Sequence, residues 1–226
     1  FITAARNVTP EVINFMATHG RGLICVAVTG EKARELELEM MVPANTSLHE
    51  TAFTVSIDLN GHGCTTGISA ADRSKTIQAM IDPNMKASDF GRPGHIFPLK
   101  AKQGGVLRRT GHTEATIDLA RLAGFEPCGA LVEIMNEDGT MARLPDLMKI
   151  GERFGLKIIT IKDLIEYRLK TETTISREVS VNMPTTFGDF KLIAYKQTTN
   201  DFDHLALVKG EWKKDEGLAG RVGDLT

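Results

Sequence analysis

The chemistry-bearing residues of this sequence crowd into one stretch. From Lys100 to Thr113 it reads Lys-Ala-Lys-Gln-Gly-Gly-Val-Leu-Arg-Arg-Thr-Gly-His-Thr, with cations at Lys100, Lys102, Arg108 and Arg109 and no acid before Glu114. It runs into an apolar-periodic segment that predicts a helix from about Thr113 to Leu122, with Gly124 as its C-terminal stop. A helix start presents free backbone N–H groups and the positive end of the helix dipole, so an anion is favoured there. Arg109 can hold a phosphate through two N–H donors, Gly111 lets the backbone approach closely, and Thr113 adds a hydroxyl. The guest that suits this pattern is a small phosphorylated molecule. The same residues also fit a solvated basic loop in which Thr113 is a plain N-cap. That second reading leaves His112 unused, although a neutral imidazole ligates metals and carries protons near neutral pH.

Two more residues could move protons. Glu133 interrupts the apolar run Ala130-Leu-Val-Glu-Ile-Met135, and a carboxylate buried there would need a partner or a function. Its alternation with Val132 and Ile134 equally suits the exposed face of an edge strand. His95 follows the glycine- and proline-rich Gly91-Arg-Pro-Gly94, a turn-like setting open to catalysis and to plain surface exposure. His19 with Arg21 and Cys25 could line a pocket, or simply complement a helix C-terminus, while His49, His62 and His204 have no companion at a metal-ligand spacing. Asp72 is explained as a helix cap. Cys25, Cys64 and Cys128 show no metal-type spacing and fit reduced thiols in a cytoplasmic protein.

The elements that must position these residues alternate. Thr9-Pro10-Glu11 opens a helix, Leu23 to Val28 is a strand apolar enough to be covered on both faces, and Phe53 to Leu59 is another strand. Ser69-Ala-Ala-Asp72 caps a helix through Ile81 that Pro83 ends. Gly129 to Met135 and Met141 to Leu144 flank the hairpin signal Asp138-Gly139. A helix at Pro145 to Phe154, a strand at Lys157 to Ile161 and a helix at Asp163 to Leu169 follow. The expected architecture is an α/β (α+β) sandwich with a mixed β-sheet flanked by helices. Dense Thr, Ser and Asn between Thr171 and Pro184 mark a boundary, beyond which Phe190 to Tyr195 and His204 to Lys209 read as a hairpin joined by Thr198 to Asp201. That tail is a short β-rich start of a second domain, because two strands are marginal alone.

Composition narrows the partners. The 226 residues are 42% hydrophobic and 25% charged with a net charge of −2, ordinary for a folded domain and without the field a nucleic-acid binder uses. Aromatics are only 6%, too few for a base-stacking surface. No stretch reaches the roughly 18 apolar residues of a membrane span. Without Met or a charged-then-apolar lead, the start at Phe1 reads as a trimmed end and not as a signal peptide.

Four blocks in order resemble 3,4-dihydroxy-2-butanone 4-phosphate synthase of riboflavin biosynthesis. They are Thr9-Pro-Glu-Val-Ile-Asn-Phe-Met-Ala-Thr-His-Gly-Arg-Gly-Leu-Ile-Cys25, Gly67-Ile-Ser-Ala-Ala-Asp-Arg73, Gly91-Arg-Pro-Gly-His-Ile-Phe-Pro-Leu99 and Arg108-Arg-Thr-Gly-His-Thr-Glu-Ala115. The resemblance covers residues 1–183. Thr186-Phe-Gly-Asp-Phe-Lys-Leu-Ile-Ala-Tyr195 with His204-Leu-Ala-Leu-Val-Lys-Gly210 looks like the opening of GTP cyclohydrolase II, making residues 184–226 a fragment of that second domain.

The resemblance implies a lyase that uses Mg2+ (or Mn2+) to convert D-ribulose 5-phosphate to L-3,4-dihydroxy-2-butanone 4-phosphate and formate. It implies that Arg109, Thr110, Gly111, His112 and Thr113 bind the sugar phosphate, that His112 ligates the metal, that Glu133 contacts substrate and moves protons, and that His95 is a second catalytic residue. It also implies a homodimer with its sites at the subunit interface. In that family an acidic segment of the Asp-Asp-Glu-Asp-Arg-Glu-Asn-Glu-Gly-Asp type precedes the position of Phe1 and supplies a metal-binding Glu. The expectation is therefore a synthase domain without that loop, retaining the His112 half of the metal site, and no GTP hydrolysis from residues 184–226. Two alternatives are a catalytically silent dimerisation or scaffold unit, and a sugar-phosphate isomerase that yields no formate.

Overall fold

In the computed structural model, residues 1–199 and 202–210 are described. The chain divides into a first compact unit, Phe1–Thr171, and a second that begins at Glu172. This break lies ahead of the expected 183/184 boundary, because residues 175–185 form a strand of the second unit.

The first unit contains, in order, β1 (Ile2–Ala4), α1 (Pro10–Phe15), β2 (Cys25–Val28), α2 (Gly30–Glu35), β3 (Ile57–Leu59), α3 (Ala70–Ala79), β4 (Phe90–Lys100), α4 (His112–Leu122), β5 (Cys128–Leu131), α5 (Leu144–Phe154) and α6 (Ile161–Thr171). The strands form one mixed sheet in the order β1-β5-β2-β4-β3, in which β2 and β4 are parallel and the other pairs antiparallel. All four residues of β2 are buried, as a strand covered on both faces requires. One face, with Val26, Val28, Ile96, Ala130 and Val132, packs on Ile13 and Met16 from α1 and its continuation and on Ile77 and Met80 from α3 and its C-cap. The other, with Cys25, Ala27, Leu99 and Leu131, packs on Ile117 of α4.

Local signals explain the helix starts. Thr9 Oγ1 accepts the Val12 N–H with Pro10 at the first helical position, and Ser69 Oγ accepts the Asp72 N–H. The Ser-x-x-Asp box does not close on itself. Asp72 instead turns its carboxylate to the Gly67 N–H and the Thr65 hydroxyl, tying the preceding loop to α3.

Four local expectations change. His95 lies inside β4 and not in a loop, since the turn-like Gly91 to Gly94 is absorbed by a strand pairing with β3. Thr113 is the second helical residue and buried, while Gly111 is the N-cap of α4. The segment Lys157 to Ile161 is not a strand. Ile158 and Ile159 are half-exposed with no ladder partner, and Ile158 packs where Gly151 has no side chain. Finally, β5 ends at Leu131, so Glu133 stands outside the strand. The Asp138-Gly139 turn is nonetheless formed, with Gly139 at φ 84° and the Thr140 N–H donating to Asp138 Oδ1.

In the second unit β6 (Ile175–Thr185), β7 (Gly188–Gln197) and β8 (Asp203–Val208) make an antiparallel sheet in that order. The expected hairpin is β7–β8, with Asn200 and Asp201 of its loop outside the described residues. Residues 211–226 of the expected second domain likewise lie outside them.

Candidate active site

The basic stretch after β4 is shaped by α4. Glu114, 1% exposed, accepts the Lys102 N–H at 2.9 Å through Oε1 and Arg109 Nη1 at 2.6 Å through Oε2. Arg109 Nη2 donates to the His49 carbonyl at 3.0 Å, so two arms of its guanidinium are engaged and the side chain is fixed in place. Gly111 fits here because a Cβ would collide with the Arg109 guanidinium and lie 2.6 Å from Glu114. Thr110 and His112 are exposed around it, and the His112 carbonyl accepts the Thr116 hydroxyl at 2.7 Å. The result is an open helix N-terminus flanked by a held arginine, an arrangement suited to a phosphate.

A second group of residues lies elsewhere on the sheet. Asp58 on β3 accepts the His95 N–H at 2.9 Å through Oδ1, and its Oδ2 lies 2.6 Å from His95 Nδ1. A carboxylate can only accept, so the proton of neutral His95 sits on Nδ1 and Nε2 is left to exchange protons. Gly67, at φ 93°, closes over this pair. A Cβ there would run into the Asp58 carboxylate and come within 2.8 Å of the His95 ring. Before Cys25 the chain slips by one residue from the Cys25↔Leu131 register, bridging Arg21 to Ile134 and setting Gly22 against the Glu133 backbone. Glu133 is exposed and its charge is felt by Cys25, whose thiol burial pushes up to about 12. A thiol so protonated is not a nucleophile.

His95 and His112 make separate contacts, His95 with Asp58 and His112 through its carbonyl with Thr116. His95 is the central residue of β4, five residues or about 16 Å of strand before Lys100, whereas the first turn of α4 is anchored on Lys102, just past the strand's C-terminal end. Arg109 to Thr113 make one candidate half-site, and Asp58 with His95, together with Glu133 just past β5, are the candidates for a second. Asp58 and Glu114 are the participants that sequence reading passed over. The signal for Asp58 was a lone acid in the strand run Val55-Ser-Ile-Asp-Leu59, and for Glu114 an acid directly after the basic stretch.

Among the described residues no group of three or more His, Cys, Asp or Glu is placed to hold a metal ion. His112 is a single donor, and magnesium prefers a mostly oxygen shell. One chain's described residues therefore do not by themselves make a site for it. Nor is any helix among them long and apolar enough to cross a membrane.

Comparison with known proteins gives a consistent result. Residues 1–167 match the family described as 3,4-dihydroxy-2-butanone 4-phosphate synthase, and residues 176–223 match GTP cyclohydrolase II. A protein of Cytophaga hutchinsonii called riboflavin biosynthesis protein RibBA is 63% identical over 98% of this chain and 55% of its own length. Its namesake in Porphyromonas gingivalis is 58% identical over the same shares. The chain spans about half the length of these curated relatives. Among solved structures, RibBX of A. baumannii, a two-domain 3,4-dihydroxy-2-butanone 4-phosphate synthase, superposes with a TM-score of 0.80 at 49% identity, over 93% of this chain and 62% of that one. A 3,4-dihydroxy-2-butanone 4-phosphate synthase in complex with two magnesium ions superposes at 0.71 with 41% identity, over 75% of this chain and 84% of that one.

Proposed function

The chain belongs to the 3,4-dihydroxy-2-butanone 4-phosphate synthase family, and from that premise we propose that it carries the lyase activity of a bifunctional riboflavin biosynthesis enzyme. The substrate is D-ribulose 5-phosphate, and the products are L-3,4-dihydroxy-2-butanone 4-phosphate and formate. The observation that carries this reading is the family match across residues 1–167, which includes both half-sites. No GTP hydrolysis is assigned to the residues that match GTP cyclohydrolase II.

Arg109, Thr110, Gly111, His112 and Thr113 receive the substrate phosphate at the start of α4, where the held guanidinium and free N–H groups meet its charge. His95, oriented by Asp58, and the exposed Glu133 take up and return the protons that enolisation, loss of water and carbon migration require. A divalent cation, Mg2+ or Mn2+, completes the proposed site with His112 as a donor and supplies charge stabilisation when bound. The magnesium-bound relative supports this assignment. The separation of His95 from His112 supports a homodimer whose sites lie at the subunit interface, each taking its phosphate half from one protomer and its Asp58–His95 half from the other. A cytoplasmic location goes with free thiols at Cys25, Cys64 and Cys128.

The alternative, a silent dimerisation or scaffold unit, draws on the missing three-donor cluster among the described residues. Formate release separates the two. Incubated with ribulose 5-phosphate and magnesium, the protein is expected to release formate in step with substrate loss, and EDTA to stop it. Substrate left intact in magnesium would support the silent reading, and an aldose product without formate would make the protein an isomerase.

A further inference from the structure

The basic stretch is held from beneath by a second carboxylate. Asp118, one helical turn after Glu114 on the buried side of α4, accepts the Val106 N–H at 2.8 Å and Arg168 Nη1 at 2.8 Å on the same Oδ2. Arg168 Nη1 also donates to the Gly104 carbonyl at 2.8 Å. Both side chains are almost wholly buried, at 7% and 4% exposure. Around this pair the chain makes a tight turn, Gly104 at φ 92° and Gly105 at φ 62°, and a Cβ on Gly105 would overlap the Asp118 carboxylate. The Gly105 carbonyl in turn accepts the N–H groups of both Arg108 and Arg109. The direction in which the two arginines leave the turn is thus set by a guanidinium contributed from α6, where Arg168 lies one turn after the buried Leu164.

We infer that Arg168, paired with Asp118, is a positioning residue that fixes the Gly104–Gly105 turn and thereby aims Arg108, Arg109 and the start of α4 at the substrate phosphate. This rests on the reading of that loop as the phosphate half-site. Arg168 touches no reacting atom, so its loss acts on affinity for phosphate and not on the chemical step. A pair serving only to dock α6 would instead change stability and leave the affinity alone.

The test is Arg168→Gln in the full chain, read by KM and kcat for ribulose 5-phosphate and by the inhibition constant of inorganic phosphate. Loss of a charged hydrogen-bonding partner is expected to raise KM and the phosphate constant together by about tenfold, with kcat held within about twofold. Arg168→Lys, which keeps the charge and can still reach both acceptors, is expected to recover most of the loss. Unchanged KM and phosphate constant in Arg168→Gln, or a fall in kcat alone, overturns the inference. Should that variant fail to fold, Gly105→Ala displaces the same turn by setting a Cβ against the Asp118 carboxylate, with both charged residues still present. It is expected to raise both constants, and unaltered constants again overturn the inference. Phosphate binding by calorimetry separates this inference from the proposed activity. Wild-type protein that binds phosphate, loses it on Arg168→Gln and releases no formate leaves the loop inference standing and removes the lyase. Wild-type protein that binds no phosphate overturns the loop inference.

Discussion

At the residue scale, the proposed activity turns on the protons handled by His95 and Glu133. His95 has Nδ1 committed to Asp58, which leaves Nε2 as the working nitrogen and fixes the ring plane. Replacing Asp58 by Asn keeps the shape but allows the wrong tautomer. We expect kcat to fall by about 10- to 100-fold with KM little changed, as for other residues that orient a functional histidine. Steady-state kinetics on Asp58→Asn checks this, and an unaltered kcat would detach His95 from the chemistry. Glu133→Gln removes a base without removing volume. A loss of about 10²- to 10⁴-fold in formate release, with ribulose 5-phosphate still bound, is the expected result. Full activity in the amide would make Glu133 an ordinary surface carboxylate, a role its exposure also permits.

The elements show which signals in the sequence were sufficient. The β2 strand, the start of α1 and the helix after Ser69 were legible because each combines an apolar pattern with a local cap that tertiary contacts reinforce. That the basic stretch runs into the start of α4 was legible for the same reason, its residues being contiguous in sequence. What escaped was settled by distant partners. β4 looks like a turn, yet Phe97 to Lys100 pair with Cys25 to Val28, and Asp58 acquires its meaning only when β3 lies against it. The strand β6 hides in a Thr- and Ser-rich tract whose Ile175, Val179, Val181 and Met183 need a neighbouring strand to matter. Asp72 shows the reverse: its cap position was evident, but its bonds to Thr65 and Gly67 hold down the loop that covers Asp58 and His95. The Thr65 hydroxyl, with smaller help from the backbone N–H groups of Thr65 and Gly67, holds the Asp72 carboxyl below the usual carboxylate range, against the opposing effect of burial. A depressed folded-state pKa contributes stability above the unfolded value that is lost as pH falls through the folded one. Asp72→Asn should therefore be less stable than wild type at pH 7, and the gap should begin to narrow below about pH 4 and close once the pH is under the folded-state value. Denaturant unfolding at both pH values measures it, and a gap that persists in acid would point to lost packing instead of lost charge.

At the scale of the whole molecule, the two proposed half-sites lie at different places along β4. The phosphate half is anchored at Lys102 and Glu114, and the Asp58–His95 half lies about 16 Å back along β4 from Lys100. The proposed twofold pairing sets the α4 start of one protomer against the Asp58–His95 segment of its partner. This arrangement has a consequence that no single-chain site shares. His112→Ala and His95→Asn should each be inactive alone. In a mixed dimer one interface collects both lesions, while the other receives an intact His112 from one chain and an intact His95 from the other. Subunits exchanged at equal ratio form mixed dimers half the time, and each has one sound site of two. Recovery should therefore approach about a quarter of wild-type formate release. Measured after co-refolding, recovery of that size supports the shared site. A mixture as inactive as its components, with mixed dimers demonstrated by differential tagging, would place both histidines in the same chain's site and require a movement of β4 or of the basic loop to unite them.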